Sequence, residues 1–234
     1  MNYHDLTLLI PAYNEEKTAF KIISSWEKVL NDLKINYQII IFNDGSTDNT
    51  LEEIKKISKN NTRIKIINLP HYGYNKTINT IYTYQLNTNW IFQADFDDEI
   101  MPEEFKKLWE LKENQNAVLG IRKNRKNIIR TSISMFASLW IKLLFGKGIK
   151  DVNIPFRLLK YDIFQQFLKE IPENTLYPNL FISAYINKNK IKMKQIPINY
   201  KTRSFGESHL KKKSKLLKHC LISMYQLLIF KFSK

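Results

Sequence analysis

The sequence predicts an α/β protein with one mostly parallel, doubly wound sheet flanked by helices, in a single domain. Short apolar runs typical of buried strands alternate with segments whose apolar residues recur at helical spacing. Such alternation implies right-handed crossovers between parallel strands. Polar clusters at residues 13–15, 43–48 and 95–98 each follow a predicted strand. Because parallel sheets bind ligands beyond the carboxyl ends of their strands, we expect these clusters to share one edge.

Each predicted element has its own signal in the chain. The first strand is an apolar run stopped by Pro11, and the second is closed by the turn-forming residues that begin at Asn43. The helices are predicted where isoleucine, leucine and aromatic residues recur every three or four positions, as at Leu51, Ile54 and Ile57. The predicted strands span residues 6–10, 37–42, 63–69 and 90–94, and the other predicted helices span residues 15–33, 76–86 and 103–111.

The length and the cysteine content bound the class of protein. A chain of 234 residues can bury one sizeable α/β core, and no linker of proline, glycine and serine marks a second domain. The single cysteine, Cys220, cannot form an internal disulfide, and no signal peptide precedes the first apolar run. The apolar stretches 133–145 and 216–232 are interrupted by charges and fall short of about 20 apolar residues, so we predict no transmembrane helix. A cytoplasmic location is expected.

The formal net charge of +15 favours an anionic partner, which includes nucleic acid, a lipid surface or phosphorylated substrates. A non-enzymatic nucleic-acid-binding protein is one interpretation, and it predicts aromatic residues interleaved with lysine and arginine on an exposed sheet. Here the aromatic residues lie mostly inside apolar runs, and no nucleic-acid-binding signature is present. We therefore expect no nucleic-acid partner.

Two carboxylates, Asp95 and Asp97, directly follow the apolar run at residues 90–94. If the strand continues through them, they share one face, because side chains two apart on a strand point the same way. Two carboxylates on one face repel unless a cation lies between them, and a divalent ion that carries substrate phosphates meets that need. The other interpretation is an acidic turn that caps a helix beginning at residues 101–104.

Several short motifs follow one another along the chain. They are PAYNEE at 11–16, NDGSTDNT at 43–50, DFD at 95–97 with PE at 102–103, VLGIR at 118–122, the stretch 151–158, and RSFGES at 203–208. In order and spacing these motifs resemble those of family-2 glycosyltransferases with the GT-A fold. The later motifs narrow the resemblance to dolichyl- and polyprenyl-phosphate sugar transferases, of the dolichyl-phosphate mannose synthase type, and it covers nearly everything from residue 6 to residue 210.

The resemblance implies a binding site for a nucleoside diphosphate sugar and a divalent metal ion, Mg²⁺ or Mn²⁺. A loop between strand and helix offers free backbone N–H groups, and a tyrosine ring adds stacking area. For Tyr13 and Glu15 helix capping remains the alternative, and Asn43 stands where many relatives have aspartate, which leaves the base open. Phe96 is expected to point into the core. The residues implied for the nucleotide sugar are Pro11, Tyr13, Glu15, Asp44 and Asp95, and those implied for the metal are Asp95 and Asp97.

Basic residues are implied for the phosphates of donor and acceptor, since a planar guanidinium suits phosphate bidentately. Arg122 and Arg157 are expected in the catalytic site together with Asp95 and Asp97. In so basic a chain, a solvated surface arginine is the alternative for each. The residues implied for the acceptor phosphate are Arg130, Ser134, Arg203 and Ser208. Residues 71–73 follow the third strand and could approach the donor, but they are interpreted as an ordinary turn.

The implied reaction is inverting transfer of a sugar from a GDP- or UDP-linked donor to polyprenyl or dolichyl phosphate. A phosphate monoester, with a second pKa of about 6, is already anionic and needs no strong base. The alternative acceptor is a saccharide hydroxyl in glycan synthesis, which needs a general base, and Asp151 is the candidate. The pair Ile154 and Pro155 replaces two small residues common in the lipid-phosphate branch, which keeps this alternative open.

Two apolar stripes at helical spacing predict contact with a membrane. The second follows the basic cluster at residues 211–215, and a basic cluster beside an apolar helix is typical of a segment on an anionic bilayer. We expect a catalytic domain over residues 1–210 and a basic amphipathic helix over residues 211–234, peripherally bound to the inner face of the membrane. A core-facing terminal helix is the alternative. The stripes are Ile133, Phe136, Ala137, Trp140 and Leu144, and then Leu217, Cys220, Leu221, Met224, Leu228 and Phe232.

Overall fold

The computed structural model describes residues 3–123, 128–146, 148–172, 175–201 and 213–232. Strands and helices alternate through most of this range. The strands are β1 His4–Ala12, β2 Tyr37–Asp44, β3 Ile64–Leu69, β4 Thr88–Gln93, β5 Ala117–Arg122, β6 Arg157–Lys160 and β7 Met193–Ile198. The helices are α1 Ala19–Asp32, α2 Thr50–Ser58, α3 Tyr74–Thr83, α4 Glu104–Glu110, α5 Ile128–Phe145, α6 Tyr161–Glu170, α7 Pro178–Lys188 and α8 Lys213–Phe232.

The described strands form one sheet in the order β3-β2-β1-β4-β6-β5-β7. The pairs β1–β2, β1–β4, β2–β3 and β5–β7 are parallel. Strand β6 is antiparallel to both neighbours, β4 and β5. The predicted mostly parallel sheet in a single domain is therefore confirmed, and the reversed strand brings the start of β6 to the same edge as the end of β4.

Two apolar layers cover the two faces of the sheet. Successive residues of β1 alternate between these layers. Leu8 belongs to the layer formed with α1, α2 and α4, and Leu9 belongs to the layer formed with α3 and α5 to α8. The aromatic centre of the first layer is formed by Trp26, Phe92 and Phe105, whose ring centroids lie 4.7 to 5.7 Å apart. A strand sandwiched between two layers must be apolar on both faces, which explains the continuous apolar runs of the central strands.

Two strand ends differ from the sequence expectation. Strand β1 continues through Pro11 to Ala12, because its pairing with β4 has already ended at Leu9 and Pro11 is paired only with β2. Strand β4 ends at Gln93, so the expectation that Asp95 and Asp97 share the face of one strand is wrong. A further backbone bond, from Ala94 to Leu9, closes the strand, and the chain then bends.

Helices α5 and α8 pack against each other, and the Trp140 indole donates to the Met224 carbonyl at 3.3 Å. Helix α8 turns Ser223, Leu227 and Phe230 inward, and none of these belongs to the stripe predicted for it. Three residues of the predicted stripe are exposed, Leu221, Leu228 and Phe232, the last at 74%. Cys220 and Met224 are half-buried, and the side chain of Leu217 lies outside the described residues. No helix in the described ranges is both long and apolar enough to span a bilayer.

The exposed apolar residues of these two helices are here called the α5–α8 surface. It comprises Met135, Phe136, Leu139 and Leu143 on α5, and Leu221, Ile222, Tyr225, Leu228, Ile229 and Phe232 on α8.

Candidate functional site

A pocket lies at the carboxyl edge of the sheet, where β4 and β5 end and β6 begins. Acidic, basic and aromatic side chains meet in its wall. Asp95, Asp97 and Arg122, which the sequence predicted to act together, are therefore brought together by the structure. The lining residues are Ala94, Asp95, Asp97, Glu99, Ile100, Arg122, Pro155, Phe156 and Tyr200.

The two aspartates of this pocket are held in surroundings that disfavour their charge. Burial raises the pKa of Asp95 to about 6, although the hydrogen bond from Tyr74 opposes the shift. Burial also raises the pKa of Asp97 well above its ordinary value, and the neighbouring charges of Asp95 and Glu99 add to that shift. Phe96, between them, is 2% exposed and packs in the core as expected. Two carboxyl groups with raised pKa values therefore line the same pocket.

The donor set suits a hard divalent cation that shares its coordination with a substrate. Among the described residues, no three histidine, cysteine or acidic side chains converge to enclose an ion. Mg²⁺ is commonly bound through one or two carboxylates, with substrate phosphates and water completing its coordination. Asp95 and Asp97 fit that role, and a bound cation would favour their ionised forms against the burial that raises their pKa values.

Arg122 and Asp151 form a bidentate ion pair in the pocket wall. The Arg122 Nε and Nη2 atoms donate to the two Asp151 carboxylate oxygens, each at 2.8 Å. Burial alone lowers the pKa of Arg122, but the hydrogen bonds and charge of Asp151 outweigh it and raise the pKa. The guanidinium also lies 5.8 Å from the centre of the Tyr200 ring. Asp151 therefore orients a permanently charged arginine toward the carboxylates.

Arg157, the other arginine predicted to act on phosphate, lies beneath the site and is only 1% exposed. Its guanidinium donates to the Ile154 carbonyl and, at 3.1 Å, to the Asn179 carbonyl. Burial lowers its pKa. Arg157 thus ties the start of β6 to α7, and its positive charge favours the ionised form of Asp95.

A second cluster lies at the ends of β1 and β2, where the sequence predicted the nucleotide. Asp44 is 2% exposed, and its carboxylate accepts the backbone N–H groups of Tyr72 at 2.8 Å and Gly73 at 2.9 Å. His71 Nδ1 lies 3.1 Å from the same carboxylate, and its ring stacks on Tyr13 with centroids 4.3 Å apart. Residues 71–73, interpreted from sequence as an ordinary turn, therefore join Asp44 to Tyr13.

Pro11 and Glu15 lie on either side of Tyr13 in the chain, Pro11 at the end of β1 and Glu15 in the loop that follows. Pro11 is buried in β1 beside Phe42 of β2. Glu15 is 8% exposed, its carboxylate accepts the Thr18 hydroxyl at 2.9 Å, and its carbonyl accepts the Ala19 N–H at 2.9 Å. Glu15 thus contacts the N-terminal end of α1 through the Thr18 hydroxyl and the Ala19 N–H.

The segment after β7 is bonded to the loop that follows β4 and carries Asp95, Asp97 and Glu99, here called the acidic loop. The Lys201 N–H donates to the Glu99 carbonyl at 2.9 Å, and Lys201 Nζ lies 3.1 Å from the Asp98 carboxylate. The Asn199 amide donates to the Glu104 carboxylate at 2.8 Å. These bonds bring Tyr200 to the pocket.

The predicted acceptor residues lie partly outside the described residues. Arg203 and Ser208 fall there, and the side chain of Arg130 is likewise not described. Ser134 is 8% exposed on the inward side of α5 and does not line the pocket.

Sequence reasoning missed three pocket or near-pocket residues: Glu99, Tyr200 and Tyr74. Glu99 was visible as a third acidic residue after Asp95 and Asp97. Tyr200 carried no local signal, because it reaches the pocket through the pairing of β5 with β7 and through the bonds of Asn199 and Lys201. Tyr74 donates its hydroxyl proton to Asp95 Oδ1 at 2.8 Å, a contact between the start of α3 and the loop after β4 that no spacing reveals.

The comparisons with known proteins agree with this geometry. Residues 7–165 match the family model described as glycosyl transferase family 2. The chain is 29% identical over 182 residues to an uncharacterised glycosyltransferase of Synechocystis, covering 74% of this chain and 55% of that protein. It is 26% identical over 207 residues to the undecaprenyl-phosphate 4-deoxy-4-formamido-L-arabinose transferase of Salmonella choleraesuis, covering 87% and 62%. The chain thus spans between half and two thirds of the length of these curated relatives.

Solved structures of low sequence identity share the fold. Glucosyl-3-phosphoglycerate synthase from Mycobacterium tuberculosis, in complex with Mn²⁺, UDP and phosphoglyceric acid, has a TM-score of 0.67 at 15% identity, covering 99% of this chain and 80% of that one. A second mycobacterial protein has a TM-score of 0.68 at 13% identity, covering 97% and 74%. The expected GT-A type fold is confirmed by these likenesses.

Proposed function

Because this chain belongs to glycosyl transferase family 2 and is a glycosyltransferase, we propose that it moves a sugar from a nucleoside diphosphate sugar to a polyprenyl phosphate. The carrying observation is that Asp95, Asp97 and Arg122 line one pocket at the carboxyl edge of the sheet. Acidic groups beside a fixed arginine suit a ligand that bears a diphosphate and a divalent cation.

The nucleotide end of the donor is assigned to the cluster at β1 and β2. The stacked rings of Tyr13 and His71 offer a flat aromatic face to a base, and Asp44 holds the backbone beside them. Pro11 and Glu15 shape the loop that carries Tyr13. The proposed donor is a UDP- or GDP-sugar, so the base in this cluster is uracil or guanine.

Asp95 and Asp97 are proposed to hold Mg²⁺ or Mn²⁺ across the donor diphosphate. When bound, the cation would neutralise negative charge on the departing nucleoside diphosphate. The Mn²⁺ and UDP in the complex of glucosyl-3-phosphoglycerate synthase support a metal in a protein of this fold. Arg122, oriented by Asp151, contributes a second positive charge on the same side of the leaving group.

The proposed step is one in-line displacement with inversion. An oxygen of the acceptor phosphate forms a bond to the anomeric carbon, while the bond from that carbon to the donor diphosphate breaks and its electrons leave with the nucleoside diphosphate. An ionised phosphate needs no proton removed. The bidentate pairing of Asp151 with Arg122 supports this acceptor over a saccharide hydroxyl, because both Asp151 oxygens already accept hydrogen bonds.

Arg157 is proposed to act from beneath the site. Its charge favours the ionised form of Asp95, and its bonds to the Ile154 and Asn179 carbonyls hold the start of β6 in place. Arg130, Ser134, Arg203 and Ser208 remain proposed for the acceptor phosphate. Arg203 follows Lys201, which is itself bonded to the acidic loop.

The acceptor is proposed to come from an anionic membrane surface that the protein binds peripherally on the cytoplasmic side. The exposed apolar residues of the α5–α8 surface support this, together with the exposed Lys142 and Lys231 on the same helices. Helix α5 also reaches the site, since the Ser138 hydroxyl donates to the carbonyl of Lys150, the residue before Asp151. In this proposal residues 1–210 catalyse and residues 211–234 attach the chain to lipid.

The test is a transfer assay with radiolabelled UDP- and GDP-sugars, Mg²⁺ or Mn²⁺, and undecaprenyl phosphate or dolichyl phosphate as acceptor. Label should move into the organic phase only with a lipid phosphate and a divalent ion present. Transfer of label to an oligosaccharide acceptor, with none to either lipid, would reject the lipid-phosphate proposal in favour of the saccharide alternative.

A further inference from the structure

The segment at residues 71–74, which opens α3, contacts three residues assigned to the donor. Its His71 ring stacks on Tyr13, its Tyr72 and Gly73 N–H groups bond to Asp44, and its Tyr74 hydroxyl bonds to Asp95. The nucleotide end and the diphosphate end of the proposed site are therefore joined by four consecutive residues.

Tyr74 spans the gap between these ends with its side chain. It is the first residue of α3, its ring is 38% exposed, and its hydroxyl lies 2.8 Å from Asp95 Oδ1. A phenol that donates to a carboxylate fixes the direction in which that carboxylate points, because the bond is charge-assisted and strongly directional.

The start of α3 is packed against the loop after β2 and bonded to the end of β4. Gly73 has a φ of 84°, so the chain enters the helix through a conformation that favours glycine. Gly45 lets the segment approach closely, because a Cβ at that position would lie 2.6 Å from the His71 nitrogen. Two turns later Tyr82 lies 2.7 Å from the Gln93 side-chain oxygen, at the end of β4. Helix α3 is thus attached to the β4 edge by two tyrosine hydroxyls.

We infer that Tyr74 is a positioning residue that holds the Asp95 carboxylate for the metal-bound diphosphate and links it to the nucleotide end. The inference rests on the proposed function, which assigns the metal and the diphosphate to Asp95 and Asp97. It adds that metal-dependent binding of the nucleotide depends on a hydroxyl that does not itself touch the base.

The experiment compares Tyr74→Phe with Tyr3→Phe and the unchanged chain. Tyr3→Phe also removes a hydroxyl that donates to a side-chain oxygen, that of Asn89, but at the amino ends of β1 and β4, away from the pocket. Calorimetric titration with UDP and with GDP, each in the presence and absence of Mn²⁺, measures the metal-dependent part of binding. Thermal unfolding of each variant reports stability separately.

We expect Tyr74→Phe to weaken nucleotide binding about fivefold or more with Mn²⁺ present, the effect of losing one hydrogen bond to a charged group. Binding without Mn²⁺ and the unfolding temperature should be unchanged, and Tyr3→Phe should bind both nucleotides like the unchanged chain. Equal metal-dependent affinities for Tyr74→Phe and the unchanged chain would overturn the inference and leave the proposed function standing. An equal loss with and without Mn²⁺ would also overturn it, since that pattern reports a general structural role. If the unchanged chain bound neither nucleotide with any metal, the proposed function itself would fail.

Discussion

Two regions of the molecule differ in how they are built: the loops proposed to bind the donor, here called the donor end, and the α5–α8 surface. At the donor end, loops after β1, β2 and β4 are bonded to one another, with Asp44 accepting two backbone N–H groups and Tyr74 reaching Asp95. On the α5–α8 surface, by contrast, large apolar side chains are exposed, including Leu143 at 70% and Phe232 at 74%. The family model covers the donor loops and α5, and it ends at residue 165, before α7, β7 and α8.

This difference supports the proposal that the polar loops carry the chemistry and that the α5–α8 surface binds the partner. A preorganised polar site acts on charge that develops during a reaction, and it therefore needs fixed groups. An exposed apolar surface has no such constraint and gains from area alone. The polar end and the apolar end should accordingly respond to substitution in separate assays.

The largest effect is expected from Asp97→Ala, which should lower transfer at least about 100-fold by removing a carboxylate proposed to hold the metal. Vesicle binding should not change. The matched control is Glu103→Ala, an exposed acidic residue just before α4, for which transfer should persist. Transfer at the unchanged rate in the Asp97 variant would remove the metal assignment, and it is measured with radiolabelled donor.

The ion pair of Arg122 and Asp151 tests whether the donor end acts as a unit. Arg122→Lys and Asp151→Asn should each lower kcat by about tenfold or more, because lysine cannot form the bidentate pair and asparagine releases the guanidinium. The double variant should be little worse than either alone, since both changes remove one interaction. Losses that multiply in the double variant would instead indicate independent roles, as a general base at Asp151 would have.

The α5–α8 surface is tested by Leu139→Glu combined with Tyr225→Glu, two positions that are 61% and 65% exposed. Binding to vesicles that contain anionic phospholipid should fall by about tenfold, because a charged side chain cannot enter the acyl boundary. Co-sedimentation measures it. Phe20→Glu is the control, since Phe20 is equally exposed, at 68%, on α1. If all three proteins sedimented alike, lipid binding would not depend on this surface.

The smallest effect is expected where Gly45 lies close to the His71 backbone, within the donor end. Gly45→Ala should lower the free energy of unfolding by about 1 to 3 kcal/mol, because Gly45 has a φ of 62° and a Cβ would collide with the His71 backbone. Gly146→Ala has similar strain, with a φ of 83°, but meets no neighbouring atom within 4 Å. Denaturant titration should therefore find the Gly45 variant less stable than the Gly146 variant, and the reverse order would contradict the close packing.

Several features of the site were predictable because their signals are local. The apolar run of β4 followed by Asp95 and Asp97 predicted a carboxylate pair at the sheet edge, and the order of elements predicted that the loops would meet there. The strand end itself was predicted wrongly, because the partner strand β1 decides where the ladder of β4 stops. Phe96 was correctly expected in the core although it lies beyond that strand.

The sequence by itself determined the fold class, the family resemblance and the acidic pair, since alternating periodicity and short motifs are properties of neighbouring residues. Only the tertiary structure decided that Arg157 is buried beneath the site, that Asp151 is paired with Arg122, and that residues 71–74 connect Asp44 to Asp95. It also decided that α8 turns Leu227 inward and leaves Phe232 exposed. These outcomes depend on which distant segments pack together, and packing of distant segments leaves no periodic trace in the chain.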